Sequence, residues 1–429
     1  MNANSSTIVF PSGKNIVVDY FKGVSSVYFL SHFHMDHVVG LKDVQHECKI
    51  YCSGIIRHLI QADRAFANAH HLLVELPVNS AQPVPELPGL QVTLVPAGHC
   101  LGSVMFLFED SADGYVALHT GDFRIPTSLE ALREVGAFHR QGRVIPIDNA
   151  VVDTTFFTDH CRELPTRQES MQAICDLVSD CLDRHQNLSV KRANSGVVLV
   201  AKARFSYEYV YQSLAETFGT KVHISELGLR YYGQLASSLD FYSTTSADCF
   251  VHLDGCGCNM NEMLRICLST MYFDKTAGFT QTVVWPSERT ARVLFSFHPS
   301  MSEVADLLTY LRPRSARALV TPAGDVDGDG FGDAESRVQT RLDALVARLS
   351  SNTLVSSPAA SATSAFQLQD HGLPASALKR CRSPLLSFAH SDGNGDCPDG
   401  ADNENDDCSD DSLCSMPVRC AKSKSARLS

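Results

Sequence analysis

The chain has 429 residues, of which 44% are hydrophobic and 20% are charged, and its formal net charge is -12. This composition excludes a wholly disordered or collagen-like chain, and no apolar run reaches the ~18 residues that a membrane span needs. Because the N-terminus lacks the apolar core of a secretion signal, we expect a soluble, intracellular chain. Its 15 cysteines are then expected to be thiols or metal ligands rather than disulfides.

The negative charge is concentrated near the C-terminus. Residues 391–411 hold nine acidic residues and no Lys or Arg, which leaves a net charge of -3 for the rest of the chain. From about residue 351 the composition shifts to Ser, Ala, Pro and Asp without apolar periodicity, which is typical of a disordered tail. An acidic chain disfavours nucleic acid as a ligand, because phosphate binding normally rests on Lys and Arg. This objection applies most strongly to residues 391–411, because the rest of the chain together is nearly neutral.

Residues before about 155 are predicted to form strands separated by turns. Short apolar or alternating runs place these strands at residues 26–30, 91–96, 104–108 and 115–119. The simplest arrangement for such apolar runs is a sheet that is buried on both faces.

From residue 166 the pattern changes to helical spacing. Thr166 and Glu169 form a capping box, and apolar residues follow at helical intervals as far as Leu182. The later predicted elements are a strand at 197–201, a helix at 206–218, a strand at 221–224, a strand at 292–297 and a helix capped by Ser300 and Glu303. Strand, helix and strand at this spacing imply a parallel unit.

The strongest chemical signal is the segment HFHMDH, which directly follows the strand at 26–30. It places His32, His34, Asp36 and His37 within six positions. Three imidazoles and a carboxylate so close together suit a borderline metal ion such as zinc. The alternative, a solvated histidine-rich loop, requires this pattern to have arisen by chance.

Four further candidate ligands stand at the ends of predicted strands. They are His99, Asp122, Asp153 and His298. Each alone is usually a capping or hydrogen-bonded polar residue, but the ends of strands at one sheet edge can bring distant ligands to one point. Together with HFHMDH, they predict a metal site.

In this order, HFHMDH, the later His99, TGDFR, DTTF and FSFHPSMSE resemble the β-CASP group of metallo-β-lactamase nucleases over about residues 16–325. The resemblance implies an α/β fold, namely a metallo-β-lactamase αββα sandwich with an inserted β-CASP α/β domain and a disordered C-terminal tail. The implied domains are a metallo-β-lactamase domain at 1–155 and 290–350, a β-CASP domain at 156–289, and the tail at 351–429.

The resemblance also implies a catalytic centre with two zinc ions, with magnesium or manganese as an alternative at the second position. The first ion would be held by His32, His34 and His99, the second by Asp36 and His37, and both by Asp122. His298 would lie beside the second ion or the leaving group, while Asp19 and Asp153 would orient the ligands. The catalytic residues would be Asp36, His298, Asp19 and Asp153, and the nucleophile would be a hydroxide that attacks phosphorus.

A third, structural zinc is implied in the middle segment by His223, His252 and Cys267. Asp254 occupies the position where the family has a cysteine, so Cys256 and Cys258 are both open as the fourth ligand, with Cys256 taken first. Buried free thiols are the alternative. The basic residues expected to contact the DNA backbone are Lys202, Arg204 and Arg124.

The implied function is a metal-dependent DNA nuclease, a phosphodiester hydrolase that acts as an endonuclease on hairpins and overhangs and as a 5' exonuclease. It would work in the nucleus, in double-strand break repair by non-homologous end joining. Its partners would be DNA and, through the tail, repair kinases and ligases, with no membrane. An RNA-processing nuclease of the same group is the main alternative. The middle segment disfavours a small-molecule hydrolase, and the complete ligand set disfavours a non-catalytic scaffold.

Overall fold

The computed structural model describes residues 6–44, 47–186, 196–201, 203–246, 249–273, 279–321 and 331–351. Every described residue lies in a single compact unit. The expected disordered tail, apart from Ser351, and the expected DNA contact Lys202 lie outside the described residues. No helix in the described ranges has both the length and the apolar character to cross a membrane.

Five strands form the first sheet, in the order β1-β2-β3-β4-β5. They and the helix that follows the fourth strand are β1 (Thr7–Val9), β2 (Asn15–Val18), β3 (Val27–Phe29), β4 (Lys49–Ser53), α1 (Gly54–Ala62) and β5 (Leu73–Leu76). β3 lies between the parallel strands β2 and β4. Val27 and Phe29 pack in one apolar cluster and Tyr28 in another. This strand is therefore buried on both faces, as predicted.

The second sheet is built mainly from the next part of the chain. Its strands, with an intervening hairpin and helix, are β6 (Gln82–Pro83), β7 (Leu90–Pro96), β8 (Val104–Asp110), β9 (Val116–His119), α2 (Leu129–Glu134), the hairpin β10 (His139–Arg140) and β11 (Arg143–Val144), and β12 (Asn149–Val152). β7, β8 and β9 are antiparallel in turn, and β12 is parallel to β9. Consequently β7, β9 and β12 run in one direction and end at the same edge.

The middle segment forms a seven-stranded sheet of its own, in the order β15-β14-β16-β13-β17-β19-β18. Its elements are α3 (Arg167–Gln186), β13 (Val197–Val200), α4 (Glu208–Phe218), β14 (Val222–His223), α5 (Glu226–Arg230), β15 (Tyr242–Ser243), β16 (Val251–Leu253), β17 (Leu264–Leu268), β18 (Val283–Ser287) and β19 (Thr290–Val293). Only the edge strand β18 is antiparallel to its neighbour in this sheet.

For the middle segment, the predicted end of a helix at Gly219 is confirmed, whereas the predicted bounds of the strand at 292–297 are wrong. The helix expected to stop at Gly219 does end there, and this glycine adopts the left-handed backbone conformation that closes helices. The strand expected at 292–297 is shorter and lies earlier, at Thr290–Val293. It pairs with β17 and β18, so the middle sheet extends past the expected boundary at residue 289.

The chain then returns to the second sheet. The remaining elements are α6 (Met301–Leu311), β20 (Ser315–Ala318) and α7 (Phe331–Ser351). The predicted capping box of Ser300 and Glu303 is present at the start of α6. β20 pairs in parallel with β12, which completes the order β20-β12-β9-β8-β7-β6. Short 3-10 helices lie at Leu41–Asp43, Arg64–Leu72, Gly136–Phe138, Asp159–Cys161 and Gly233–Ser238.

The first two sheets pack face to face between helices. Between them, the Phe29 ring lies 5.3 Å from Phe106 and 4.8 Å from Phe108, centroid to centroid. The outer face of the second sheet is covered by α6 and α7, and the outer face of the first sheet packs with α1 and the middle segment. The first two sheets therefore pack on each other, with α6 and α7 on one side and α1 and the middle segment on the other.

Candidate metal centre

The candidate centre lies where β3, β7, β9 and β12 end. The loops after these strands carry the histidine segment, His99, Asp122 and Asp153 respectively. Asp122 lies at the middle of the cluster, and its Oδ2 is 3.2 Å from His37 Nε2, 3.7 Å from His32 Nε2, 3.8 Å from His99 Nε2 and 3.9 Å from His298 Nδ1. Residues that lie up to 266 positions apart in the sequence, from His32 to His298, are therefore close together in the structure.

Each imidazole of the cluster uses one ring nitrogen to contact another protein group. These contacts are His32 Nδ1 to Ser31 Oγ (2.9 Å), His34 Nε2 to Ser206 Oγ (2.8 Å), His37 Nδ1 to Asp19 Oδ2 (2.9 Å), His99 Nδ1 to the Phe297 carbonyl (3.0 Å) and His298 Nδ1 to Asp153 Oδ2 (2.8 Å). For the first four residues the opposite nitrogen remains for the centre. This is the arrangement by which metal-binding histidines are held in one tautomer and orientation.

The donor set fits divalent metal ions. His32 Nε2 and Asp122 Oδ1 are buried and have no hydrogen-bond partner among the described residues, which is costly for polar atoms unless something binds them. His34 Nδ1 lies 3.1 Å from His99 Nε2. Ligands at 2.0–2.1 Å around a tetrahedral zinc are about 3.3–3.4 Å apart, close to the observed spacing. Three sets of ligand atoms each lie within 4.8 Å of one another: His32, His34 and His99; Asp19, His32 and His37; and His99, Asp122 and His298.

The electrostatic environment favours neutral ligands at the first set. Burial, reinforced by the other imidazoles, holds the pKa of His32 and His99 well below the usual value and lowers the pKa of His34 to about 4. Neutral imidazole is the form that binds a metal ion. Burial also acts to lower the pKa of His37, but the carboxylates of Asp122 and Asp19 outweigh it and raise this pKa.

Two buried carboxylates, Asp19 and Asp153, contact imidazoles of the cluster from the protein interior. Asp19 is fully buried and accepts hydrogen bonds from the Ser31 backbone (2.7 Å) and from His37. Its backbone has a left-handed φ of 57°, a conformation that Asp adopts more readily than most residues. Asp153 is also fully buried and contacts His298, whose pKa rises to about 9 because Asp153 and Asp122 outweigh the opposing effect of burial.

Asp36 lies at the open side of the cluster. Its side chain is 72% exposed, and its Oδ2 is 3.7 Å from His37 Nε2. None of the three close ligand sets contains Asp36. The structure thus places this predicted ligand beside the centre, where solvent can reach it.

Of the three residues expected to contact DNA, the structure describes Arg204 and Arg124, and these two differ in solvent exposure. Arg204 is exposed, and its carbonyl lies 3.2 Å from His34 Nε2, so its side chain is available close to the centre. Arg124 is only 4% exposed, and its guanidinium donates to the carbonyls of Ser296 and Pro165 and to Glu303. The expectation that Arg124 contacts DNA is therefore wrong, because its donors are used inside the protein.

A second possible metal site lies in the middle sheet and differs from the expected one in one ligand. The four ligand atoms belong to His223, His252, Cys256 and Cys258, and they lie within 4.8 Å of one another. The His223 and His252 Nδ1 atoms are 3.2 Å apart, and Cys258 Sγ is 3.3 Å from His223 Nδ1. His223 Nε2 faces the Thr244 carbonyl. This closed set of two histidines and two cysteines suits a structural zinc.

Cys267 is not part of this set, although it was expected to be. It lies inside β17, which is paired on both sides with β13 and β19, so its position is fixed by the sheet. Cys258 instead reaches the histidines because the loop after β16 turns sharply. Gly255 and Gly257 have positive φ values of 79° and 90°, which only glycine adopts without strain.

Sequence reasoning missed three residues that hold the centre. Ser31 directly precedes the histidine segment, Ser206 comes from the distant middle segment, and Phe297 directly precedes His298. The proximity of Ser31 to His32 was a usable signal. No local pattern marks Ser206 or Phe297, because their contacts depend on how the middle sheet packs on the first.

Comparisons with known proteins point in the same direction. No family model matches this chain. It is 31% identical over 341 residues to Protein artemis of Gallus gallus, covering 71% of this chain and 46% of that protein. It is 28% identical over 335 residues to 5' exonuclease Apollo of Rattus norvegicus, covering 74% and 56% respectively. It is 25% identical over 197 residues to DNA cross-link repair protein SNM1 of Arabidopsis thaliana, covering 46% and 36%. The chain spans about half the length of the Artemis and Apollo proteins.

Proposed function

This chain is Artemis-like over 71% of its length, and from that likeness and the metal centre we propose that it is a metal-dependent nuclease that hydrolyses phosphodiester bonds in DNA. The names of two relatives, a 5' exonuclease and a DNA cross-link repair protein, support this reaction and substrate. The fold we assign is a metallo-β-lactamase domain, residues 1–155 and 294–351, with an inserted β-CASP domain at 156–293. This boundary includes β19 in the inserted sheet, with which it pairs.

The observation that carries the proposal is the convergence of four imidazoles on the Asp122 carboxylate. We assign two metal ions to this cluster, and Asp122 would help to hold both. The first would be held by His32, His34 and His99, and the second by His37 and Asp36. When bound, such ions lower the pKa of water from 15.7 to about 7 and neutralise charge on a phosphate.

The chain's own residues supply orientation and protons. Asp19 holds Ser31 and His37 in place, and Asp153 holds His298. His298 Nδ1 lies 2.8 Å from the Asp153 carboxylate, which stabilises a protonated imidazole. We assign His298 the donation of that proton to the departing oxygen, a general-acid role.

The donor types favour particular metals. Imidazole nitrogen suits zinc, and carboxylate oxygen also suits magnesium and manganese. We therefore assign zinc to the first position and zinc, magnesium or manganese to the second. A third, structural zinc is assigned to His223, His252, Cys256 and Cys258, because this closed four-ligand set leaves no position for a substrate.

The biological setting that we propose is double-strand break repair by non-homologous end joining in the nucleus. The substrates would be hairpins, single-stranded overhangs and 5' ends, and repair kinases and ligases would be partners. The Artemis likeness supports this setting.

The proposed activity is tested with the purified full chain and matched substrates. We expect cleavage of 5'-phosphorylated single-stranded, overhang and hairpin DNA, measured on denaturing gels after addition of zinc, magnesium or manganese. His34→Ala and Asp36→Ala should abolish cleavage while circular dichroism shows the wild-type fold.

An RNA strand of the same sequence, run beside the DNA, decides the substrate. Cleavage of RNA alone would replace the repair function with RNA processing. Cleavage at the wild-type rate by either variant would refute the assignment of the metal centre.

A further inference from the structure

A cavity of about 170 Å³ lies in the middle segment, next to the candidate metal centre. Five aromatic residues contribute to its walls, namely Phe205, Tyr207, Tyr211, Tyr231 and Tyr232. Cavities that bind organic ligands combine apolar walls with a few polar groups, and this one has both. The polar groups on its lining belong to Arg204, Ser225, Glu208 and Asp254.

The cavity and the metal centre share one short segment of backbone. On one side of residues 204–206, the Arg204 carbonyl and the Ser206 hydroxyl contact His34 Nε2. The Arg204 and Phe205 side chains line the cavity. Phe205 adopts a left-handed φ of 60°, a strained conformation for a bulky residue that is retained mainly at functional sites. This one segment therefore lies between the metal centre and the cavity.

At one wall of the cavity the guanidinium of Arg204 lies over the ring of Tyr231. The Arg204 guanidinium lies 4.1 Å from the centroid of the Tyr231 ring, and Arg204 is exposed while Tyr231 is half-buried. Guanidinium planes and aromatic rings are the surfaces on which proteins stack unpaired bases.

A carboxyl group provides the polar contact deeper in the cavity. Glu208 is 4% exposed, and its Oε1 accepts a hydrogen bond of 2.7 Å from the Tyr232 hydroxyl. The Tyr232 and Tyr242 hydroxyls are 2.8 Å apart, so this carboxyl is fixed in place. It offers an acceptor for the N–H groups that every base carries on its edge.

The size of the cavity limits the ligand. At about 30 Å³ per water molecule in the liquid, 170 Å³ corresponds to about six waters, below the range of about 300–1,000 Å³ for drug-sized ligands. A single ring system fits this limit, whereas a duplex does not. We propose that the cavity binds one unpaired nucleobase of the DNA strand that is being cut, near the scissile phosphate. This inference rests on the proposed nuclease function.

The test measures how binding depends on single bases. Full-length protein carrying Asp36→Ala, which prevents cleavage under the proposed function, is titrated into a fluorescently labelled single strand and followed by anisotropy. A set of strands each replaces one nucleotide with an abasic residue. Because stacking on one aromatic side chain contributes about 5- to 150-fold in affinity, we expect one abasic position near the cleavage site to weaken binding by that factor.

Three further variants in the Asp36→Ala background locate the effect. Tyr231→Ala should remove the dependence on that position, and Tyr231→Phe should keep it, because phenylalanine retains the ring. Trp285 is an exposed aromatic residue of the middle sheet that does not line the cavity, so Trp285→Ala should also keep the dependence on that position. Thermal melting followed by circular dichroism checks that all three variants are folded.

The outcomes separate the two proposals. If wild-type protein cuts DNA but the abasic series is flat, or if Tyr231→Ala leaves the dependence unchanged, the base-binding cavity is wrong and the nuclease stands. If wild-type protein cuts no DNA and the Asp36→Ala protein binds none, the proposed function and the cavity assignment fail together.

Discussion

Glu208 gives a prediction about how stability depends on pH. This carboxyl is 4% exposed, and burial raises its pKa to about 7, although the hydrogen bond from Tyr232 opposes the shift. In the unfolded chain a glutamate titrates near 4.3. Between these two values the folded state binds a proton that the unfolded state has lost. Folding is therefore favoured at low pH and progressively disfavoured as pH rises through this window.

The magnitude follows from the difference between the two pKa values. A shift of one unit corresponds to 1.36 kcal/mol, so the free energy of unfolding of the wild type should fall by about 2 to 3 kcal/mol between pH 5 and pH 8 through Glu208 alone. Glu208→Gln keeps the shape and an acceptor for Tyr232 but cannot ionise. The variant should thus gain stability relative to the wild type as pH rises.

Urea unfolding followed by circular dichroism, at half-unit steps from pH 5 to pH 8, measures this effect. Taking the difference between the two proteins cancels the titration of all other groups that the variant leaves unchanged. The free energy of unfolding of the variant minus that of the wild type should be about 2 to 3 kcal/mol larger at pH 8 than at pH 5. A difference that stays constant with pH, or that changes in the opposite direction, would refute the conclusion that burial raises the pKa of this carboxyl.

Three other predictions follow from the structure. Asp19→Ala should lower the affinity of the centre for zinc by about 10- to 100-fold, measured by competition with a chelator, and Asp19→Asn should lower it less because Asn tolerates the same backbone. Equal losses would contradict this role. Cys258→Ser should remove one zinc per chain in elemental analysis and Cys267→Ser none; the reverse pattern would restore Cys267 as ligand. Arg124→Ala should lower the free energy of unfolding by about 3–5 kcal/mol in urea unfolding, and the folded variant should bind DNA with the wild-type affinity. Weaker DNA binding without a loss of stability would show instead that Arg124 contacts DNA.

The positions of the candidate ligands were predictable because they depend on local patterns. An apolar strand followed at once by a polar residue is visible in the sequence, and strands that run in one direction end at one edge. His99 and Asp122 were found in this way, and the structure places their side-chain atoms Nε2 and Oδ2 3.8 Å apart.

Contacts that depend on tertiary packing could not be found in this way. The sequence shows that Arg124 is basic and close to Asp122, but only the packed helices reveal Glu303 and two carbonyls around its guanidinium. Likewise, the spacing of cysteines did not show that two glycines turn the loop so that Cys258, rather than Cys267, reaches the histidines. Residue type and spacing therefore identify candidate ligands and DNA contacts, whereas tertiary packing decides which of these candidates reach the site.

The pairing of β12 with β20 has a consequence for how the protein is made. Asn149 and Ser315 are partners in this ladder but lie 166 residues apart in sequence. During synthesis, β12 emerges long before β20, and its free edge can pair with other chains until the second partner arrives. Contacts of such long sequence separation also form slowly. Truncations that end before Ser315 should therefore aggregate even when they retain most of the metal ligands.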